Sequence, residues 1–187
     1  MKVYQILALI LLTAGVYACG GSDPVERAAA EDEEMQRTMP EAPQLKADAQ
    51  FIKKFAEYTL FSMAAAEIAN DRAVHPDVRT LAEEISKDHE ELFNRMQELA
   101  TEYRLPVPDV LPEELSQRLE ELRETEARTF DQRYLREVLT YHKAIEDETN
   151  SLIANSKLEP LMDFARRIKS EQYVHLNEAQ RLAEELS

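Results

Sequence analysis

Three of the four histidines in this 187-residue chain lie on lines of apolar residues that a helix would turn toward its core. His89 continues a line through Ile85 and Leu92 at three- and four-residue spacing, which is the period of an amphipathic helix. His142 and His175 hold similar positions in two later segments. Imidazole is a common ligand of Zn, Cu, Fe and Ni. A metal site is therefore one chemistry that these residues allow.

The three histidines are also predicted to lie at one depth. Pro76 and Pro160 mark the starts of the segments that carry His89 and His175, and His142 precedes a turn by a similar distance. At about 1.5 Å of helical rise per residue, each imidazole lies roughly 20 Å from the same end. We therefore expect the three rings to meet in the middle of a helical domain, beside Ser62 on the first helix.

Three interpretations of this cluster remain open from the sequence. In the first, the cluster binds a transition metal, and the candidate ligands are His89, His142, His175, Asp88, Glu146 and Glu178. In the second, the histidines form a buried polar layer, each bonded to a neighbouring Tyr, Asp or Glu, because buried polar groups need partners. Acid–base catalysis is a third, smaller option. His75 precedes a proline in a turn and is expected at the surface.

The elements that would hold these residues are helices. The only glycines are Gly15, Gly20 and Gly21, and their absence from the rest of the chain disfavours hairpin-rich β folds. Prolines and the apolar periodicity divide the chain into long helical segments near 48–74, 76–104, 112–156 and 160–186. The third segment is expected to break near Glu124. Short turns pair the first two and the last two segments, which predicts an all-α, antiparallel four-helix bundle of two helical hairpins over 48–187.

The N-terminus is predicted to direct export. Residues 1–18 combine Lys2 with an apolar run that is short for a bilayer span and suits a signal peptide. Cys19 is the only cysteine, and "VYAC" before "GGSD" resembles the lipobox of bacterial lipoproteins, which implies lipidation of Cys19. Simple secretion with cleavage near residue 18 and an uncleaved anchor are the alternatives. Residues 19–47 are acidic and proline-containing, and they are expected to form a flexible tether.

The net charge is −15, which disfavours nucleic acid as a partner because phosphate binding needs clustered Lys and Arg. The same charge disfavours adsorption to an anionic lipid surface, so the predicted contact with a membrane is through the lipid at Cys19. Gly20 follows the cysteine where an aspartate resembles an inner-membrane retention signal. The expected location is the periplasmic face of the cell envelope, as an outer-membrane lipoprotein.

Several stretches resemble a bacterial domain-of-unknown-function family of predicted periplasmic and outer-membrane proteins. The similar residues are the pair Asp88-His89, the pattern Phe130, Asp131 and Tyr134 followed by His142, and the pair His175-Leu176. The resemblance covers about residues 51–186 and implies a ferritin-like bundle, an exported location and no established activity.

The chain departs from that family at three positions. Ser62 and Ala64 stand where the family commonly has glutamates, so a di-iron centre is not expected. A family glycine before Phe130 is also missing, which would allow an unbroken helix there.

The sequence leaves the function open among three hypotheses. The first is a non-enzymatic envelope protein that serves as a binding or stress-related module. The alternative is a metal-binding or redox ferritin-like protein that uses the mid-bundle histidines. A helix-mediated assembly partner is a third, minor option.

Overall fold

The computed structural model describes the backbone of residues 42–187 and the side chains from residue 45 onward. The helices of this part are α1 (Ala42–Arg72), α2 (Pro76–Glu102), α3 (Glu113–Glu124), α4 (Ala127–Asn155) and α5 (Glu159–Glu185). The all-α prediction is confirmed. Within residues 42–187, no helix combines the length and the apolar character that a membrane crossing requires.

Four long helices form the bundle, and the contacts between them fix its topology. Helix α1 packs against α2 and α4, and α5 packs against the same two helices. Lys54 pairs with Glu148 while Arg72 lies over the ring of Phe130, so α1 and α4 run in opposite directions. The bundle is therefore up-down-down-up, with one long crossover after α2, as in ferritin-like bundles. The prediction of two antiparallel hairpins is confirmed.

Hydrogen bonds to backbone groups cap both ends of α2. Pro76 occupies the first turn, where a missing N–H costs nothing, and the Nδ1 atom of His75 accepts a hydrogen bond from the Asp77 backbone N–H at 3.3 Å. The carboxylate of Asp131 on α4 accepts from the backbone N–H of His75 at 2.8 Å. The helix ends at Glu102, and just beyond it Arg104 has a φ of 55°, which lets Leu105 N–H donate to Ala100 O at 2.7 Å.

One predicted helix boundary differs from the structure, and one predicted break is present. Helix α1 begins at Ala42, six residues before the expected residue 48, so residues 42–47 of the predicted tether are helical. The expected break near Glu124 is present, and the alternative of an unbroken helix is wrong. Thr125 and Glu126 have extended backbone angles there and separate α3 from α4. The signal-peptide and lipidation predictions, including Cys19, fall outside the described residues.

Helix α3 lies on the crossover and packs against α1 and α4. Glu137 on α4 is buried and forms a salt bridge with Arg118 of α3, in which Arg118 Nη2 lies 2.7 Å from Glu137 Oε2. Arg133 Nε lies 2.9 Å from the other oxygen of the same carboxylate. The Arg118 guanidinium also covers the ring of Tyr141 at 5.1 Å. These charges fix the crossover to the bundle.

The apolar core is divided into two clusters by a polar layer. One cluster includes Ile85 and Val138, and the other includes Leu92 and Ile145. On α2, His89 stands between Ile85 and Leu92. On α4, His142 stands between Val138 and Ile145. The histidine layer therefore lies at mid-bundle, enclosed on both sides by close-packed apolar side chains.

Candidate metal centre

Three helices bring one imidazole each to the middle of the bundle. His89 comes from α2, His142 from α4 and His175 from α5, and their exposed fractions are 4%, 1% and 1%. Their ring centroids lie 5.1 to 5.7 Å apart. One nitrogen from each ring can be chosen so that all three atoms lie within 4.8 Å of one another. The predicted convergence of the three histidines is present.

The proton of His142 has a fixed position. Its Nδ1 atom lies 2.9 Å from the backbone oxygen of Val138, one turn earlier on α4. A carbonyl oxygen only accepts hydrogen bonds, so Nδ1 must carry the proton and donate it. A neutral imidazole has one N–H, and Nε2 of His142 therefore presents a lone pair to the bundle interior.

The proton of His175 is fixed from the opposite side. Its Nε2 atom lies 3.1 Å from Oδ2 of Asp88 on α2. An ionised carboxylate accepts hydrogen bonds and donates none, so Nε2 of His175 carries the proton. The lone pair of neutral His175 is then on Nδ1, which also faces the bundle interior.

These two lone pairs face each other. Nε2 of His142 and Nδ1 of His175 are 3.3 Å apart, a distance at which one nitrogen would normally donate to the other. Neither can donate while both rings are neutral, because each proton is committed to an outer partner. Each lone pair needs a donor or a positive charge, and a metal ion between the rings would satisfy both at once.

His89 differs from the other two histidines because its ring nitrogens have no hydrogen-bond partner within residues 45–187. Both of its ring nitrogens are buried, and neither has a hydrogen-bond partner among the described residues. A buried polar group without a partner costs about 1–3 kcal/mol, so such groups are rare in folded proteins. The polar-layer interpretation requires a partner for every ring, and His89 lacks one.

Burial keeps the three imidazoles neutral. Desolvation, followed by the charges of the two neighbouring rings, holds the pKa of His89 well below its usual value. Desolvation and the nearby His175 lower the pKa of His142 to about 3. Desolvation also lowers the pKa of His175, although the charge of Asp88 opposes that shift. Neutral imidazole is the form that binds a metal.

The predicted carboxylates are not all part of the cluster. Asp88 contacts His175 and is 37% exposed at its side chain, so it reaches the ring from the surface. Glu146 lines a surface pocket of about 340 Å³ with Lys169. Glu178 pairs with Arg181 at 2.6 Å, which lowers its pKa. Asp88 can orient a ligand, whereas Glu146 and Glu178 lie outside the group of converging nitrogens.

The first helix closes the site with small polar side chains. Thr59 and Ser62 line a cavity of about 10 Å³ beside His89 and His142, as expected for the level of Ser62. Gln172 of α5 lines the same cavity, and we did not predict it as a site residue. Its position on the buried stripe, one turn before His175, was the signal that could have identified it. Sequence spacing shows that such a residue is buried but not what it faces.

The fold and site define a class, which is an all-helical bundle with a buried cluster of three histidines. The chain belongs to the family described as "Domain of unknown function (DUF4142)", whose model matches residues 34–182. The resemblance to a domain-of-unknown-function family is therefore confirmed.

A solved structure has the same fold. It is the crystal structure of a DUF305 fragment from Deinococcus radiodurans, which is 16% identical, with a TM-score of 0.68. The similarity covers 79% of this chain and 99% of that one. At this identity the similarity establishes the fold alone. No protein of curated function matches the chain.

Proposed function

We propose that this protein binds one transition-metal ion between His89, His142 and His175 in the middle of its helical bundle. The observation that carries the proposal is the pair of facing lone pairs on His142 and His175. Their protons are held outward by a backbone carbonyl and by Asp88. In metal sites, ligating histidines donate their second N–H to such carbonyl or carboxylate partners.

Three imidazole nitrogens favour a metal ion of intermediate softness. Three imidazoles suit Zn²⁺ or a copper ion, whereas Mg²⁺ and Ca²⁺ prefer sites made of oxygen atoms. A tetrahedral Zn²⁺ ion with Zn–N bonds of about 2.0–2.1 Å needs ligand nitrogens about 3.4 Å apart. The 3.3 Å between His142 and His175 already meets this requirement. His89 has two uncommitted nitrogens, and one of them lies within 4.8 Å of the other two ligand nitrogens, so a movement of its ring toward them would supply the third bond.

Zn²⁺ binding to the full chain tests this function. The protein is purified without a polyhistidine tag, stripped with a chelator, exposed to Zn²⁺ and separated from free ions before elemental analysis. We expect one zinc ion per chain for the wild type and none for the variants His89→Leu and His142→Gln. The variant His75→Asn is the matched control, because His75 lies in the turn before α2 and asparagine keeps its helix-capping role.

Stability measurements on the metal-free protein separate this function from the structural polar layer. If the site is built for a metal, His89→Leu removes two unsatisfied buried nitrogens and leaves the melting temperature unchanged or raises it. If the layer is structural, the same substitution lowers the melting temperature. Wild type that takes up no zinc, or His75→Asn that loses zinc as fully as His142→Gln, would overturn the proposal.

We also propose that the bundle works in the cell envelope, anchored by lipid on Cys19. The support is the lipobox-like sequence before Cys19 and the signal-like residues 1–18. Two or three acyl chains would hold the protein stably at a membrane. We expect the wild type in the detergent-soluble membrane fraction with the mass of an acylated N-terminus, and Cys19→Ser in the soluble fraction. Equal partition of the two proteins would contradict the anchor.

A further inference from the structure

Three protein ligands leave one position of a tetrahedral ion without a protein donor. Structural zinc sites are closed by four protein ligands, whereas sites that exchange a ligand keep the fourth position open. Among the described residues, the converging group contains the three histidines and no fourth side chain of ligand type. The fourth ligand of the bound ion must therefore come from outside this group of side chains.

A small cavity lies beside the cluster. It measures about 10 Å³ and is lined by residues that include His89, His142, Thr59 and Ser62. One water molecule needs roughly 10–15 Å³ of such volume and two to four polar partners. The cavity therefore has room for a single water and no room for an organic molecule.

Gln172 supplies an unexplained polar atom at the same place. Its side chain is 3% exposed and lines the cavity, and its buried amide oxygen has no hydrogen-bond partner among the described residues. An amide oxygen accepts hydrogen bonds and donates none. A cavity occupant with an O–H group would satisfy it, whereas a bare anion would not.

From this geometry we propose that the fourth ligand of the bound metal is an exchangeable water molecule, held by the amide oxygen of Gln172. This inference rests on the proposed metal site and extends it to the ligand class that the site accepts. The water would bond to the ion and donate to Gln172, with Thr59 and Ser62 alongside. The site therefore accepts ligands of the size of water and excludes organic substrates.

The route to the cavity is consistent with exchange. Gln172 also lines the surface pocket of about 340 Å³ that includes Glu146 and Lys169. Gln172 thus borders both the small cavity and a surface depression between α4 and α5. A change in the Gln172 rotamer would be one way for water to pass between the two.

Cu²⁺ is the probe for the test, because nitrogen sites bind it more tightly than the other divalent first-row metals. The full chain is loaded with Cu²⁺ in D₂O, and electron spin echo modulation reports deuterons on a directly bound water. Fluoride, which resembles water in size, is then titrated against the bound water. We expect a coordinated-water signal in the wild type that fluoride displaces and acetate does not.

The variant Gln172→Leu tests the role of the amide. Fluoride cannot donate to the amide oxygen, so removing that oxygen should let fluoride displace the water at a concentration about 5- to 10-fold lower. The exposed Gln180, two turns later on α5, supplies the control Gln180→Leu, which should behave as wild type.

The outcomes separate this inference from the metal site itself. A wild type that binds one Cu²⁺ but shows no bound-water deuterons overturns the inference and leaves the metal site standing. If Gln172→Leu then gains the water signal, the amide oxygen is itself the fourth ligand. A wild type that binds no Cu²⁺ overturns the metal site and the inference together.

Discussion

Acid should destabilise the metal-free protein through its buried histidines, and His142 gives the clearest case. In the unfolded chain its imidazole titrates near pH 6.5. In the folded bundle, desolvation and His175 lower its pKa to about 3. Between these two pH values the unfolded state binds more protons than the folded state. Lowering the pH therefore favours unfolding.

The size of the effect follows from that pKa difference. At pH 7.5 both states hold His142 neutral, and its titration contributes almost nothing to the free energy of unfolding. At pH 5 the unfolded chain gains a proton that the folded chain refuses, which costs about 2 kcal/mol of stability. That is a large share of the roughly 5–15 kcal/mol that stabilises a typical domain.

Urea unfolding of chelator-treated protein, followed by circular dichroism between pH 7.5 and pH 5, measures this effect. The matched variant is His142→Gln, which keeps a polar side chain and does not titrate. We expect the wild type to lose about 2 kcal/mol more than the variant over this range. The many surface carboxylates affect both proteins alike and cancel in the comparison. Parallel loss of stability in the two proteins would refute a neutral, buried His142.

Three further perturbations test other parts of the molecule. Asp88→Asn removes the charge that orients His175 and should weaken Zn²⁺ binding about 10-fold or more by competition titration, while the exposed Glu91→Gln on the same helix should not. Glu137→Ala leaves Arg118 and Arg133 without their shared carboxylate and should cost about 1–3 kcal/mol in urea unfolding. That cost is below the value for a fully buried pair, because both guanidiniums are about one-third exposed. Asp131→Ala leaves the backbone N–H groups of Val74 and His75 unpaired and should cost about 1–2 kcal/mol, whereas Asp131→Asn should recover part of that loss.

The helices and the histidine layer could be predicted from the sequence because both depend on period and length. Proline positions fix where long helices begin, and a three-four spacing fixes which side faces the core. Rise per residue then converts sequence distance into depth, so His89, His142 and His175 could be assigned to one level before any coordinates.

The details that decide the chemistry were not accessible in this way. Spacing places Glu146 and Glu178 within a turn of the cluster, but it does not give the direction of a side chain relative to two other helices. The structure turns Glu178 toward Arg181 and Glu146 toward a surface pocket. The position of each imidazole proton depends on the Val138 carbonyl and on Asp88, and such contacts between helices appear only in three dimensions.

A break near Glu124 was expected from the sequence and is present at Thr125, but the sequence did not give its cause. The absence of glycine allowed a continuous helix from α3 into α4, because no residue there forbids helical angles. Tertiary contacts decided otherwise, since Arg72 donates to the Thr125 carbonyl at 2.6 Å and α3 packs against α1 and α4. Local propensity is a weak predictor where packing contributes more than a few tenths of a kcal/mol per residue.

X-ray absorption spectroscopy of the zinc-loaded full chain tests the central claim most directly, because it counts the atoms bonded to the ion. We predict three imidazole nitrogens at about 2.0–2.1 Å, with multiple scattering from the rings and one further light atom. A first shell made mainly of oxygen, or one with fewer than two imidazoles, would contradict a metal centre formed by His89, His142 and His175.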